Sequence, residues 1–121
     1  MKTAVVGASS DRSRFSNKCI RAYHQQGWTV FPVNPKESEI LGLRCYPSLA
    51  DISGKIDVVS LYVNPSIGLS ILAEIIRKKP RAVYLNPGTE DQRIIAGLEE
   101  NGITVLQECS ILAIGVNPDE V

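Results

Sequence analysis

Apolar residues fall along this chain in two alternating kinds of run. Thr3-Ala4-Val5-Val6-Gly7, Trp28-Thr29-Val30-Phe31-Pro32-Val33, Asp57-Val58-Val59-Ser60-Leu61-Tyr62-Val63, Arg81 to Leu85 and Ile103 to Leu106 are short and continuous. They lack period-two alternation, as strands covered on both faces of a parallel sheet do. Between them lie helical stripes. Cys19, Ile20 and Tyr23 form one that stops at Gly27, with Ser16 predicted as its N-cap. Pro65 suits a first helical position, and Ile71, Leu72, Ile75 and Ile76 carry the second stripe, with Arg77, Lys78 and Lys79 in its last turn and Pro80 as its stop. Glu90 and Asp91 open the third, Ile94, Ile95 and Leu98 form its buried face, and Asn101-Gly102 closes it.

Five buried strands alternating with three amphipathic helices predict a doubly wound α/β fold, with five parallel strands in a three-layer α/β/α arrangement of residues 1–121. The first strand is expected at its centre. Pro32 points to a bulge or an edge for the second strand. Residues 37 to 56 are the least regular, with a small extended piece at Ile40 to Tyr46 and one helical turn opening at Pro47-Ser48-Leu49. From Cys109 onward the chain reads as a short tail, whose Ile111-Leu112-Ala113-Ile114 run is expected on the domain's own core.

In such sheets, ligands bind beyond the carboxyl ends of the strands. The unusual residues collect there: Gly7-Ala8-Ser9-Ser10 after the first strand, Asn34-Pro35-Lys36 after the second, and Tyr62-Val63-Asn64-Pro65 after the third. Asn86-Pro87-Gly88-Thr89 follows the fourth and Gln107-Glu108-Cys109-Ser110 the fifth. A strand running into glycine and small hydroxyl residues ahead of a helix brings bare N–H groups and a helix N-terminus together, which suits a phosphate.

Composition narrows the partners. Thirteen basic residues balance 13 acidic ones, and the hydrophobic share of 44% is ordinary for a globular chain, so nothing indicates nucleic acid. No apolar run approaches the ~20 residues that span a bilayer, no signal-peptide pattern precedes the first strand, and a cytoplasmic protein is expected. Cys19, Cys45 and Cys109 share no metal-ligand or disulfide spacing. His24, the single histidine, falls on the first helix away from the strand ends, so no acid/base or nucleophile–base pair can be assembled around it, and no catalytic residue is expected.

The dinucleotide fingerprint is absent after the first strand, where only Gly7 stands. Val33-Asn34-Pro35-Lys36 offers no acidic residue for the ribose hydroxyls of NAD. A lysine there suits a phosphorylated ribose. NADP and coenzyme A both carry one, and Lys36 alone does not choose between them.

The order V-V-G-A-S with a later Ser16, then P-V-N-P at 32–35, Y-P-S-L at 46–49, aromatic-x-x-Pro at 62–65, an aromatic-x-x-x-Gly turn at 84–88 and a cysteine after the last strand, resembles the small stand-alone CoA-binding proteins. Those are similar to the nucleotide-binding domain of the succinyl-CoA synthetase alpha subunit. The resemblance spans residue 3 to about residue 110. It implies a Rossmann-like fold that binds coenzyme A or an acyl-CoA without a reaction of its own. Carried onto this sequence, it implies that Gly7, Ala8, Ser9, Ser10 and Ser16 line a phosphate loop and that Asn34, Pro35 and Lys36 meet the adenosine 3′-phosphate. Tyr62, Val63 and Asn64 would flank the nucleotide, and Asn86, Pro87 and Gly88 would lie toward the pantetheine. The expected associates are the CoA ligand and either an acyl-CoA enzyme or a second copy. The other readings are an NADP-binding enzyme or sensor and a protein-interaction domain with a decayed nucleotide site. Under the plainest alternatives, Gly7 serves only packing, Arg12 and Arg14 are solvated, and Cys109 is inert.

Overall fold

The computed structural model describes residues 1–121. Five strands form one parallel sheet: β1 (Lys2–Val6), β2 (Thr29–Val33), β5 (Val58–Leu61), β6 (Ala82–Leu85) and β7 (Thr104–Leu106), in the spatial order β2-β1-β5-β6-β7. Two further strands, β3 (Glu39–Ile40) and β4 (Leu43–Arg44), pair as a small antiparallel hairpin. The Rossmann-like α/β fold is therefore the one expected. The sheet order reverses between β1 and β5, where open α/β sheets leave a crevice for ligands.

Side chains alternate across the sheet and meet a different core on each face. Ala4, Val6, Val59, Leu61, Val83 and Leu85 join Ile75, Ile94, Ile95 and Leu98 on one side. The helices there are α2 (Pro65–Ser70), α3 (Leu72–Lys78) and α4 (Gln92–Glu100). Val5 and Val30 face the other way, onto Cys19, Ile20, Ala22 and Tyr23 of α1 (Phe15–Gln25) and Ile111 of α5 (Ser110–Ala113).

Pro32 sits on an edge strand, as its missing donor requires. That edge is partly covered: Tyr46 donates its N–H to the Pro32 carbonyl and accepts from the Asn34 N–H, each at 2.9 Å. The helical turn expected after Pro47 is a 3-10 turn at Leu49–Asp51.

Three local expectations are corrected. Ser16 is not the N-cap of α1; Arg14 holds that place without a side-chain bond, and Ser16 is buried inside the first turn. Asp11 explains the earlier start, because its carboxylate takes both the N–H and the hydroxyl of Ser13 and its carbonyl takes the Arg14 N–H. The second helical stripe is interrupted at Ile71, which separates α2 from α3. There the Ser70 hydroxyl donates back to the Ile67 carbonyl at 2.6 Å, competing with the helix ladder. The first strand is not at the centre of the sheet: β5 holds the middle place, and β1 lies between it and the edge strand β2. The Ile111 run meets its expectation, with Ile111 of α5 fully buried in the core.

Candidate functional site

The site begins at the end of β1. Gly7 has φ +86°, and a Cβ there would lie 2.7 Å from the Tyr62 carbonyl oxygen and 2.9 Å from Val63 Cγ1. Only glycine lets the β1 end lie against the β5 end, so Gly7 serves close packing at the switch point. Its N–H and that of Ala8 both donate to the Val33 carbonyl, at 3.0 and 3.2 Å. The donors of this loop without a protein acceptor are those of Ser9 and Arg12 and of Phe15, Ser16 and Asn17 in the first turn of α1. That is the ordinary condition of a helix N-terminus, and it favours an anion.

Side chains brace this loop. Asn34 donates its amide to the Ala8 carbonyl at 2.7 Å and accepts from the Lys36 N–H at 2.8 Å, coupling the β2 loop to the β1 loop. Asn17 holds the Ser9 carbonyl at 2.8 Å, and the Glu37 carboxylate takes the Ser10 N–H at 3.1 Å.

Three adjoining clefts follow the rim. The first, about 530 Å³, includes Val33, Asn34, Pro35 and Lys36 from β2 and its loop, Ser48 and Leu49, Val63, and Ile67, Ser70, Ile71 and Glu74 from the helices beyond β5. The second, about 400 Å³, is formed by Gly7, Ala8, Ser9, Arg14, Phe15, Ser16, Asn34 and Tyr62. The third, about 340 Å³, is formed by Phe15, Tyr62, Asn86, Pro87, Cys109, Leu112 and Pro118. Gly7 and Asn34 belong to the first two clefts, and Phe15 and Tyr62 to the last two.

Most of the residues singled out in the sequence thus stand on one continuous surface. Ser10, Asn64 and Gly88 do not line it. Asn64 caps α2, accepting from the Ile67 N–H at 3.0 Å, and the Gly88 N–H goes to the Glu90 carboxylate. Asn86 contributes a wall, but its amide is spent internally: Nδ2 donates to Ser60 Oγ and the Leu61 carbonyl, and Oδ1 accepts the Ser110 N–H, all at 2.9 Å. Beneath it, Ser110 Oγ lies 2.8 Å from Ser60 Oγ, 3.1 Å from the Tyr62 hydroxyl and 3.5 Å from Cys19 Sγ. Burial pushes the Cys19 thiol and the Tyr62 phenol above their ordinary values.

Sequence reasoning missed Phe15, Ile67, Leu112 and Glu74, and it weighed Arg14 as a phosphate contact against a solvated charge without placing it in the site. Its one available signal was Phe15, a large aromatic placed in an otherwise polar connection.

A parallel sheet of this order, with its crevice at the reversal point and bare helix N–H groups beside it, defines a Rossmann-like α/β protein. The chain belongs to the CoA binding domain family, whose model matches residues 1–115. It is 28% identical over 110 residues to the uncharacterized protein YneT of Bacillus subtilis, covering 91% of this chain and 82% of that one. It is also 31% identical over 116 residues to acetate–CoA ligase (ADP-forming) I of Archaeoglobus fulgidus, of which it spans only 17% of the length while 94% of this chain is covered. Among solved structures, one from Thermus thermophilus matches with a TM-score of 0.90 and 30% identity, covering 94% of this chain and 87% of that one.

Proposed function

We propose that the protein binds coenzyme A or a coenzyme A thioester along the three clefts and performs no covalent chemistry on it. Family membership supports coenzyme A as the ligand class. The observation that carries the reading is the linear order of the clefts. Lys36 stands in the first, the bare N–H groups of Ser9, Phe15 and Ser16 belong to residues of the second together with Arg14, and an uncharged cleft ends the row. In folds of this class the loop after the second main strand meets the ribose and the first helix N-terminus meets the pyrophosphate. Lys36 then pairs with the 3′-phosphate, the second cleft holds the pyrophosphate, and the pantetheine runs toward Tyr62 and Pro87.

The titratable groups of the clefts support binding over catalysis. Glu74 is their single carboxylate, and it accepts the Ala50 N–H at 3.0 Å. His24 lies on α1 outside all three, so no histidine faces Cys109 or the serines of the clefts. Because the relatives include ligases in which this domain is a fraction of the chain, a separate acyl-CoA enzyme is the partner class we infer.

Thermal unfolding with added nucleotides tests the reading. A ligand at a hundred times its Kd stabilises the native state by about 2.7 kcal/mol, which for a chain of this size raises Tm by roughly 10 °C. Coenzyme A is expected to give such a shift and NAD none; a larger shift with NADP than with coenzyme A would establish the NADP reading, which Lys36 also suits. Titration calorimetry of Lys36→Ala addresses the phosphate contact. Loss of one charge-assisted bond should weaken coenzyme A by roughly tenfold or more while sparing dephospho-CoA. Equal losses for the two ligands reject the role given to Lys36.

A further inference from the structure

We infer that the third cleft seats the acyl group of a coenzyme A thioester and favours neutral, apolar acyl groups over charged ones. The inference rests on the placement of coenzyme A proposed above. With the adenosine end at Lys36 and the pyrophosphate at the α1 N-terminus, the thiol end extends past Phe15 and Tyr62, the two residues the second and third clefts share.

The chemistry of this cleft is one-sided. Phe15 and Leu112 are 56% and 61% exposed, and Pro87, Pro118 and Cys109 complete a lining without a single charged side chain. Its side-chain hydroxyl and amide are already committed. The Tyr62 hydroxyl pairs with Ser110 Oγ, and Asn86 uses both ends of its amide on Ser60, Leu61 and Ser110. A carboxylate-bearing acyl group would find no cation among these side chains and no uncommitted side-chain hydroxyl or amide, and a charge taken from water without a partner is strongly disfavoured. The chain around the cleft is acidic as well: Glu108 precedes Cys109, and Asp119 and Glu120 follow Pro118. An alkyl acyl group meets the opposite situation, because it covers the exposed faces of Phe15 and Leu112.

The inference also accounts for the Ile111-Leu112 pair. Ile111 is fully buried in the core, while its neighbour Leu112 is exposed and lines the cleft.

Titration calorimetry of the full chain with coenzyme A, acetyl-CoA, butyryl-CoA and succinyl-CoA decides the matter. Each additional buried methylene is worth roughly fourfold in affinity, so butyryl-CoA, with two more, should bind roughly fifteenfold tighter than acetyl-CoA, and succinyl-CoA weaker than butyryl-CoA. Leu112→Ser, an exposed substitution, should shrink the butyryl-over-acetyl ratio to about twofold or less. Affinity indifferent to the acyl group, or tightest for succinyl-CoA, overturns the inference while leaving coenzyme A binding intact. No binding of any of the four ligands overturns the proposed function itself, and this inference with it. Sedimentation of the ligand-free protein covers the remaining occupant: a stable dimer that Leu112→Ser dissociates would assign the cleft to a second copy and overturn the acyl reading, whereas a monomer supports it.

Discussion

Thr3 and Asn86 show how differently two buried polar side chains can be used. Asn86 is 1% exposed and satisfies both ends of its amide, tying the end of β5 to the start of α5. Thr3, equally buried on β1, has a hydroxyl with no partner. An unpaired buried hydroxyl costs about 1 kcal/mol or more, and valine has the same shape without that cost. Thr3→Val is therefore expected to raise stability by about 1 kcal/mol in urea unfolding, with an unchanged m-value. Gly7 belongs at this scale too. Its place after an apolar strand made it legible as a turn glycine at the site, but the contact that demands it is with Tyr62 and Val63, 55 and 56 positions onward in the chain. Likewise, the Gly7 and Ala8 N–H groups look available in the sequence and are spent on Val33.

Among the elements, the long ones were legible because their signals are local. Continuous apolar runs marked the strands of the main sheet, Gly27 and Pro80 marked the ends of α1 and α3, and Asp91 and Asn101-Gly102 bracketed α4. What escaped were pieces too short to show a period: the hairpin of β3 and β4, with two residues in each strand, and the four residues of α5. Asn64 shows how one residue type suits two readings. The family resemblance places it beside the nucleotide, and in the structure it caps α2 with its side chain. Asn64→Ala should lower stability by about 1 kcal/mol, and Asn64→Ser should restore most of it; chemical denaturation of the three proteins checks both.

At the scale of the molecule, the sheet gathers titratable groups that are far apart in sequence. Tyr23 and Tyr62 converge on Ser110 from α1 and β5, and burial pushes both phenols up, as it does the Cys19 thiol between them. The fold thus favours the protonated form of each. For a group whose folded pKa is raised, the stabilisation is complete below the unfolded value and is lost as pH rises through the folded one. The stabilisation from the thiol is therefore intact below about pH 8.5 and that from the tyrosines below about pH 10. Tm is expected to fall as pH climbs past these values, and Tyr62→Phe, which removes one titrating group, should make the decline above pH 10 shallower. A Tm that rises over that interval would contradict the assigned direction.

The sequence by itself determined the alternation of strands and helices, the α/β class and the rim on which Gly7, Asn34, Lys36 and Tyr62 stand. Apolar periodicity, glycine and proline act over a few residues and require no knowledge of distant partners. The tertiary structure decided which of those residues face open space and which are consumed by their neighbours. It set Ser16 inside the helix, gave Asn64 to a cap and Asn86 to an internal clasp, and opened clefts lined by Phe15, Ile67 and Leu112. Whether a donor is free depends on what the fold lays against it, and that neighbour comes from a remote part of the chain.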